Sequence, residues 1–158
     1  VRRSLYISYY QRFYTDGSPF FPFKPTKEIS EKVEEQVRQF KVGTVGIHIR
    51  RNDHSSAIKH SPTSAFISKI EQMSDFKNGQ LFLSSDSIEE KEHLKQRYGD
   101  RLLTRAISFS REHRQGIIDA VIDMYCLAKT QKILGSQDST FGQVASELGG
   151  VELEVIKV

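Results

Sequence analysis

The sequence predicts an α/β protein: three layers, α/β/α, around a mostly parallel sheet of about five strands. Two observations carry that reading. Short apolar runs such as Gly43–Ile49, Leu81–Leu83 and Ile133–Leu134 alternate with longer stretches of helical periodicity throughout the chain after residue 25. The first run is β-branched and breaks abruptly into Arg50, Arg51, Asn52 and Asp53, as a strand buried on both faces does where it leaves a sheet. Regular alternation of strand and helix implies right-handed crossovers and helices on both sheet faces, a Rossmann-like layering.

Taken in order, residues 1–25 form an aromatic-rich arm or interdomain connector, carrying Tyr6, Phe13 and Phe20 among others, with Pro22 and Pro25. So many aromatic rings would make a sticky patch if left bare, so they are expected to pack on the domain or on a partner domain. Residues 26–158 form the Rossmann-like domain. Thr26 is placed to cap a helix with Ile29, Val33, Val37 and Phe40 on one side. Gly43 then leads into the first strand. Residues 51–61 read as a polar loop, and Pro62 opens a second helix with Phe66, Ile67 and Ile70 inward. Gln80–Ser84 is a strand, Ser85 to Ser87 cap a helix over 87–98, and Arg101–Thr104 is a weaker strand. After a polar loop over 107–114, a helix from about Gln115 to Thr130 points Ile117, Val121, Met124, Tyr125 and Ala128 inward. Lys132–Gly135 is the fourth strand, Ser139–Leu148 a helix stopped by Gly149-Gly150, and Val151–Val158 the last strand.

At 158 residues the chain fits one domain with a single core. Its net charge of +3 is spread among acids, which argues against nucleic acid as a partner. Cys126 is the single cysteine, so neither a disulfide framework nor a zinc cluster is expected. No stretch is apolar enough to span a membrane, and no leader pattern is present, which makes the cytoplasm the expected compartment. The opening residue is Val1, which fits a piece of a longer protein.

The chemistry is expected at the carboxyl ends of the strands, where open parallel sheets bind ligands. His48 and Arg50 are two apart and share a strand face. A guanidinium beside a histidine suits an anion such as phosphate, although Arg50 and Arg51 could equally be strand-end charges paired with carboxylates. Gly135-Ser136 ends a strand and Ser139-Thr140 opens a helix, which gathers hydroxyls and backbone N–H groups into an anion cradle. Read alone, Ser139 is more plainly an N-cap. Asp119 and Asp123 lie four apart on an apolar helix, where a buried carboxylate needs donors: the paired N–H groups of a guanine edge, or a local arginine. Asp86 could take a ribose hydroxyl or cap its helix. No glycine-rich dinucleotide fingerprint and no phosphate-loop lysine motif occur, which disfavours NAD-type dehydrogenases and P-loop nucleotidases.

The run Val45-Gly46-Ile47-His48-Ile49-Arg50-Arg51-Asn52-Asp53 resembles the His-x-Arg motif of the fucosyltransferase superfamily that includes α1,2-, α1,6- and protein O-fucosyltransferases. Leu81–Asp86 resembles its second motif. Gly116–Ala128, followed by Ile133-Leu134-Gly135-Ser136 and Ser139-Thr140-Phe141, is similar to its third. The three stand in family order over residues 43–148. The resemblance implies the C-terminal, GDP-fucose-binding half of a GT-B glycosyltransferase that inverts the sugar and uses no metal or other cofactor. Arg50 would hold the β-phosphate in place of a divalent cation, and His48 would position the ribose or diphosphate. Arg51 would share the donor site, with Asp53 orienting one of the two arginines. Asp123 would receive guanine N–H groups, Asp86 would lie near base or sugar, and Ser139 and Thr140 would contact phosphate. The implied partners are a nucleotide sugar, a glycan or protein acceptor, and an N-terminal acceptor domain, so the isolated domain is expected to be inactive. The resemblance departs in one loop. The α1,6 branch carries its base, a glutamate, just beyond the arginine pair; here His54–His60 holds no carboxylate, leaving His54 and His60 as substitutes or as plain solvated histidines. A non-catalytic nucleotide- or protein-binding module, or a transferase using another sugar nucleotide, fits the same residues.

Overall fold

A computed structural model describes residues 24–52, 54–73, 79–106 and 113–158. Residues 1–23 of the expected arm, Asp53, residues 74–78 and residues 107–112 of the expected polar loop lie outside the described residues. Six helices and five strands follow in the order α1 (Lys27–Val37), β1 (Val45–Ile49), α2 (Ser55–His60), α3 (Thr63–Gln72), β2 (Leu81–Ser85), α4 (Ile88–Tyr98), β3 (Leu102–Thr104), α5 (Arg114–Leu127), β4 (Lys132–Ser136), α6 (Thr140–Gly149) and β5 (Glu152–Ile156) among the described residues. A 3-10 turn over Gly99–Arg101 feeds β3 directly.

The five strands are all parallel, in the order β3-β2-β1-β4-β5. The predicted three-layer, Rossmann-like architecture is therefore the observed one. Period-two alternation divides the core between the two sheet faces. Val45, Ile47, Ile49, Leu81 and Leu83 meet Phe66 and Ile70 of α3 and Leu94 of α4. On the other face Phe82 and Ile133 meet Val33 of α1, Ile122, Cys126 and Leu127 of α5, and Ala145 of α6. Each fully buried leucine or isoleucine contributes about 2 kcal/mol. Gly46 lets α5 lie close on β1, because a Cβ there would come 2.7 Å from Thr130 Oγ1 and 2.9 Å from Leu127 Cδ2. Gly150 ends α6 in the left-handed region at φ 63°, the stop the sequence foretold.

Two expectations need correction. The stretch read as a polar loop over 51–61 contains helix α2, capped by the His54 ring, which accepts from Ala57 N. Pro62 accordingly precedes α3 as its N-cap instead of sitting in its first turn. The buried face of α5 is also different: Gly116, Asp119, Ile122, Asp123, Cys126 and Leu127 face inward, while Ile117 is 56% exposed. The helix turns two carboxylates toward the sheet because a local cluster of cations receives them.

Candidate functional site

The strand order fixes where a site belongs. The chain winds outward from β1 through β2 to β3, then crosses back to place β4 on the other side of β1. The β1/β4 junction is therefore the topological switch point, where the loops leaving two neighbouring strands diverge and open a crevice at the carboxyl rim. His48, Arg50, Ser136 and Ser139 are placed around it.

Hydrogen bonds tie the two strand ends together. Ser136 Oγ accepts from Arg50 N at 3.0 Å and donates to the His48 carbonyl at 3.3 Å. Ser139 is the N-cap residue of α6, yet it makes no side-chain cap hydrogen bond. Its hydroxyl instead lies 3.1 Å from His48 Nε2. The plain N-cap assignment is thus corrected, and the first N–H groups of α6 have no capping side chain from that residue. Phe141 stacks on the imidazole at 4.6 Å between centroids, holding the ring in place. Burial, and then the Arg50 charge, push the His48 pKa down to about 3, so the ring is neutral at physiological pH. Thr140 begins α6 and is exposed beside Ser139. The two non-glycine residues with positive φ among those described, Asn52 at 23° and Asp138 at 57°, follow β1 and β4, the two strands of the switch point.

The two arginines are held by carboxylates. Arg50 Nη1 donates to Asp86 Oδ2 at 2.5 Å, and Asp86 Oδ1 accepts from Arg51 N at 2.8 Å. Asp86 caps no helix; that task falls to Ser87, whose hydroxyl accepts from Glu90 N. Arg51 Nε donates to Glu90 Oε1 at 2.6 Å and its Nη2 to Thr63 Oγ1 at 2.9 Å. Asp53, expected to orient these arginines, lies outside the described residues. Glu90 escaped the sequence reading, although a signal was there: Ser87 with Glu90 three residues on has the form of a capping box. The glutamate gives its N–H to the cap but its carboxylate to Arg51.

A second cluster continues along the same rim. The register pairs His48 with Gly135 on one side and with Ser84 on the other, and Leu83 with Thr104, so Arg105 is the next residue beyond the ladder beside Ser84. Arg105 Nη1 donates to Asp123 Oδ1 at 2.9 Å, and its Nη2 donates to Asp119 Oδ1 at 3.3 Å. The local arginine, one of the two donor sets weighed, meets one oxygen of each carboxylate. Lys91 is buried alongside, donating to the Arg105 carbonyl at 2.8 Å. Burial pushes the Asp123 carboxyl above its usual range against the pull of Lys91 and Arg105, and pushes Lys91 below its own. Cys126 is buried and its thiol is pushed up to about 12 by that burial, which makes it a packing residue. His54 caps α2, and His60 lends its carbonyl to Val158 N. Among the described residues no group of three or more His, Cys, Asp or Glu side chains is placed to hold a metal ion. No helix among them is long and apolar enough to cross a membrane.

Compared with family models and with curated proteins, the sequence matches none. Compared with solved structures, the fold is similar to three fucosyltransferases. Fucosyltransferase NodZ from Bradyrhizobium is 23% identical with a TM-score of 0.56, over 78% of this chain and 42% of that one. A variant of Arabidopsis thaliana FUT1 in complex with GDP is 21% identical with a TM-score of 0.59, over 84% and 33%. POFUT1 in complex with GDP is 11% identical with a TM-score of 0.56, over 84% and 47%. The chain spans less than half the length of each. At such identities the likeness shows the fold alone: the chain shares its Rossmann-like fold with part of each of these fucosyltransferases.

Proposed function

We propose that the chain is the donor half of a metal-independent, inverting fucosyltransferase-like enzyme, binding GDP-fucose at the switch point between β1 and β4. One observation carries this reading: Ser139 turns its hydroxyl to His48 and leaves the amino end of α6 without its N-cap side chain, at the crevice where open parallel sheets take ligands. A diphosphate seated there meets Ser139, Thr140 and the helix N–H groups on one side and Arg50 on the other. Asp86 holds the Arg50 guanidinium at the rim, and its five donors let one face serve the carboxylate while another meets phosphate. His48, neutral at working pH, positions the donor without adding charge. Arg51 supports the loop that carries Arg50.

In the reaction an acceptor hydroxyl attacks the anomeric carbon from the face opposite the diphosphate. The new C–O bond forms as the bond to the β-phosphate breaks, the electron pair leaves on the diphosphate, and the hydroxyl proton passes to a base. Arg50 and the α6 amino end stabilise the departing charge, the role a divalent cation plays elsewhere. The acceptor, a glycan or protein hydroxyl, and its base belong to a further domain, so the isolated chain binds donor without turning it over. GDP should raise the melting temperature, and Arg50→Ala should abolish that rise. Indifference of the wild type to millimolar GDP and GDP-fucose would overturn the reading. The matching of both arginines by Asp86 and Glu90 favours a second reading, a module that binds nucleotide without transferring sugar. GDP binding with no turnover after the remaining enzyme half is supplied would decide for it.

A further inference from the structure

We propose that the groove between α5 and α6 is the seat of this chain's own amino-terminal arm, with Phe20 and Phe21 as its anchors. The inference concerns the outer side of α5 and stands whether or not the crevice takes a nucleotide.

Helix α5 is apolar on two sides. Ile122, Cys126 and Leu127 face inward with the two carboxylates. Ile117, Ala120, Val121 and Met124, spaced as one helical face, form a second stripe, and with Gly116 and Phe141 of α6 they line an open groove that holds no charged residue. Ile117 is exposed, and Val121 and Met124 are half-buried. A helix on the surface of a soluble domain turns charge outward; one that is apolar on both sides belongs between two layers, so this stripe calls for a cover. Phe141 also stacks on His48, so whatever fills the groove backs the ring at the crevice.

The chain itself supplies the cover. Residues 1–23 hold eight aromatic residues, half of the six tyrosines and ten phenylalanines in the sequence, and left bare they would make a sticky surface. Both α1 and α5 lead into strands of one parallel sheet, so they lie side by side, run the same way and begin at the same rim. Ile29 near the start of α1 and Ile118 near the start of α5 pack on one apolar cluster. The chain therefore enters α1 beside the first turns of α5, one helix away from the groove. Packed helices lie about 8–10 Å apart. Phe21 and Phe20 stand three and four residues before Lys24, about 10 and 13 Å of extended chain, whereas Phe23 falls short. Pro19, Pro22 and Pro25 bar a helix from that stretch and favour extended chain. Phe20 and Phe21 are thus the first rings with the reach to cross α5. A tethered segment stands at an effective concentration on the order of millimolar, which a second copy in dilute solution does not match.

The test treats the full chain with chymotrypsin and follows cleavage after Phe20 and Phe23, neither of which precedes a proline. Ile117→Glu puts a carboxylate into the groove at an exposed position, and should speed that cleavage by about tenfold. Ile117→Leu keeps the apolar contact and should retain the protection. Cleavage after the buried Phe82 reports folding and should not change in either variant. Independently of any variant, methyl NMR of the wild type should show the Ile117 and Met124 methyls in contact with the Phe20 and Phe21 rings, unchanged on dilution. This measurement decides if the glutamate variant does not fold. Equal cleavage of the arm in wild type and folded Ile117→Glu, or groove methyls without contact to these rings, overturns the proposal. Contacts that fade on dilution give the groove to a second copy, and contacts that form only when the remaining enzyme half is added give it to that half; either result overturns the arm as occupant.

Discussion

Ser139 sits at the threshold of α6 and yet its hydroxyl lies 3.1 Å from His48 Nε2, ninety-one positions away in sequence, while it caps no N–H of the helix it introduces. The pair joins the carboxyl end of β1 to the loop after β4 and sets the orientation of a buried ring. Ser139→Ala leaves Nε2 without that partner where water has little access. Unfolding in urea should show a loss of about 1–3 kcal/mol, and Ser139→Thr, which keeps the hydroxyl, should lose little. A loss in the alanine variant below about 0.5 kcal/mol, the range of ordinary surface changes, would mean that the bond carries no weight.

His48 should give the protein a distinctive acid response. Its pKa falls from 6.5 to about 3 on folding, so the native state favours the neutral ring. Stability from this residue is fully present above the unfolded value and is lost as pH falls from 6.5 toward about 3. Between about pH 7 and pH 5 the loss should reach about 2 kcal/mol. His48→Gln should lack that component. Asp123 titrates in the opposite sense, its raised pKa favouring the fold on acidification, but it does so in both proteins and cancels in the difference. Equal pH slopes for wild type and variant in urea titrations would refute the assignment.

The sheet was legible because β1, β2 and nearly all of β4 are buried on both faces and so read as apolar runs, and because Gly43 and Gly150 punctuate the ends of their elements. Helix α2 was not, since six residues with one buried side chain, Ala57, give periodicity nothing to act on, and its cap is a histidine. The face of α5 was misread for a physical reason. Periodicity ranks Ile117 above Asp119, but Arg105 and Lys91, brought in from β3 and α4, make the carboxylates the residues that must be inside.

The site was half legible by the same logic. Motif spacing marked His48, Arg50, Asp86 and Ser139 as strand-end groups and Asp123 as a helix carboxylate; the fold sets the first four at the ends of β1, β2 and β4 and turns Asp123 of α5 to Arg105. Their partners were beyond local reading. Arg50 meets Asp86 across thirty-six positions, and Arg51 meets Glu90 across thirty-nine, so the matching of these charges appears only once β1 and β2 are side by side.

The Arg51–Glu90 pair offers a test of how firmly that rim is held. Glu90 accepts from Arg51 Nε and from Thr63 Oγ1, both at 2.6 Å, and the two charged side chains are 12% and 15% exposed. Glu90→Ala leaves the guanidinium nearly buried without its carboxylate, and should cost about 2–3 kcal/mol in chemical unfolding. Arg51→Ala should cost a similar amount for the converse reason. The double variant should cost clearly less than the two singles together, with a coupling of about 1–2 kcal/mol, because the second removal relieves the charge stranded by the first. Nucleotide binding should fall in both singles, since the loop that presents Arg50 rests on this pair. Additive losses would show that the two side chains are merely neighbours, and that Arg50 is positioned by Asp86 alone.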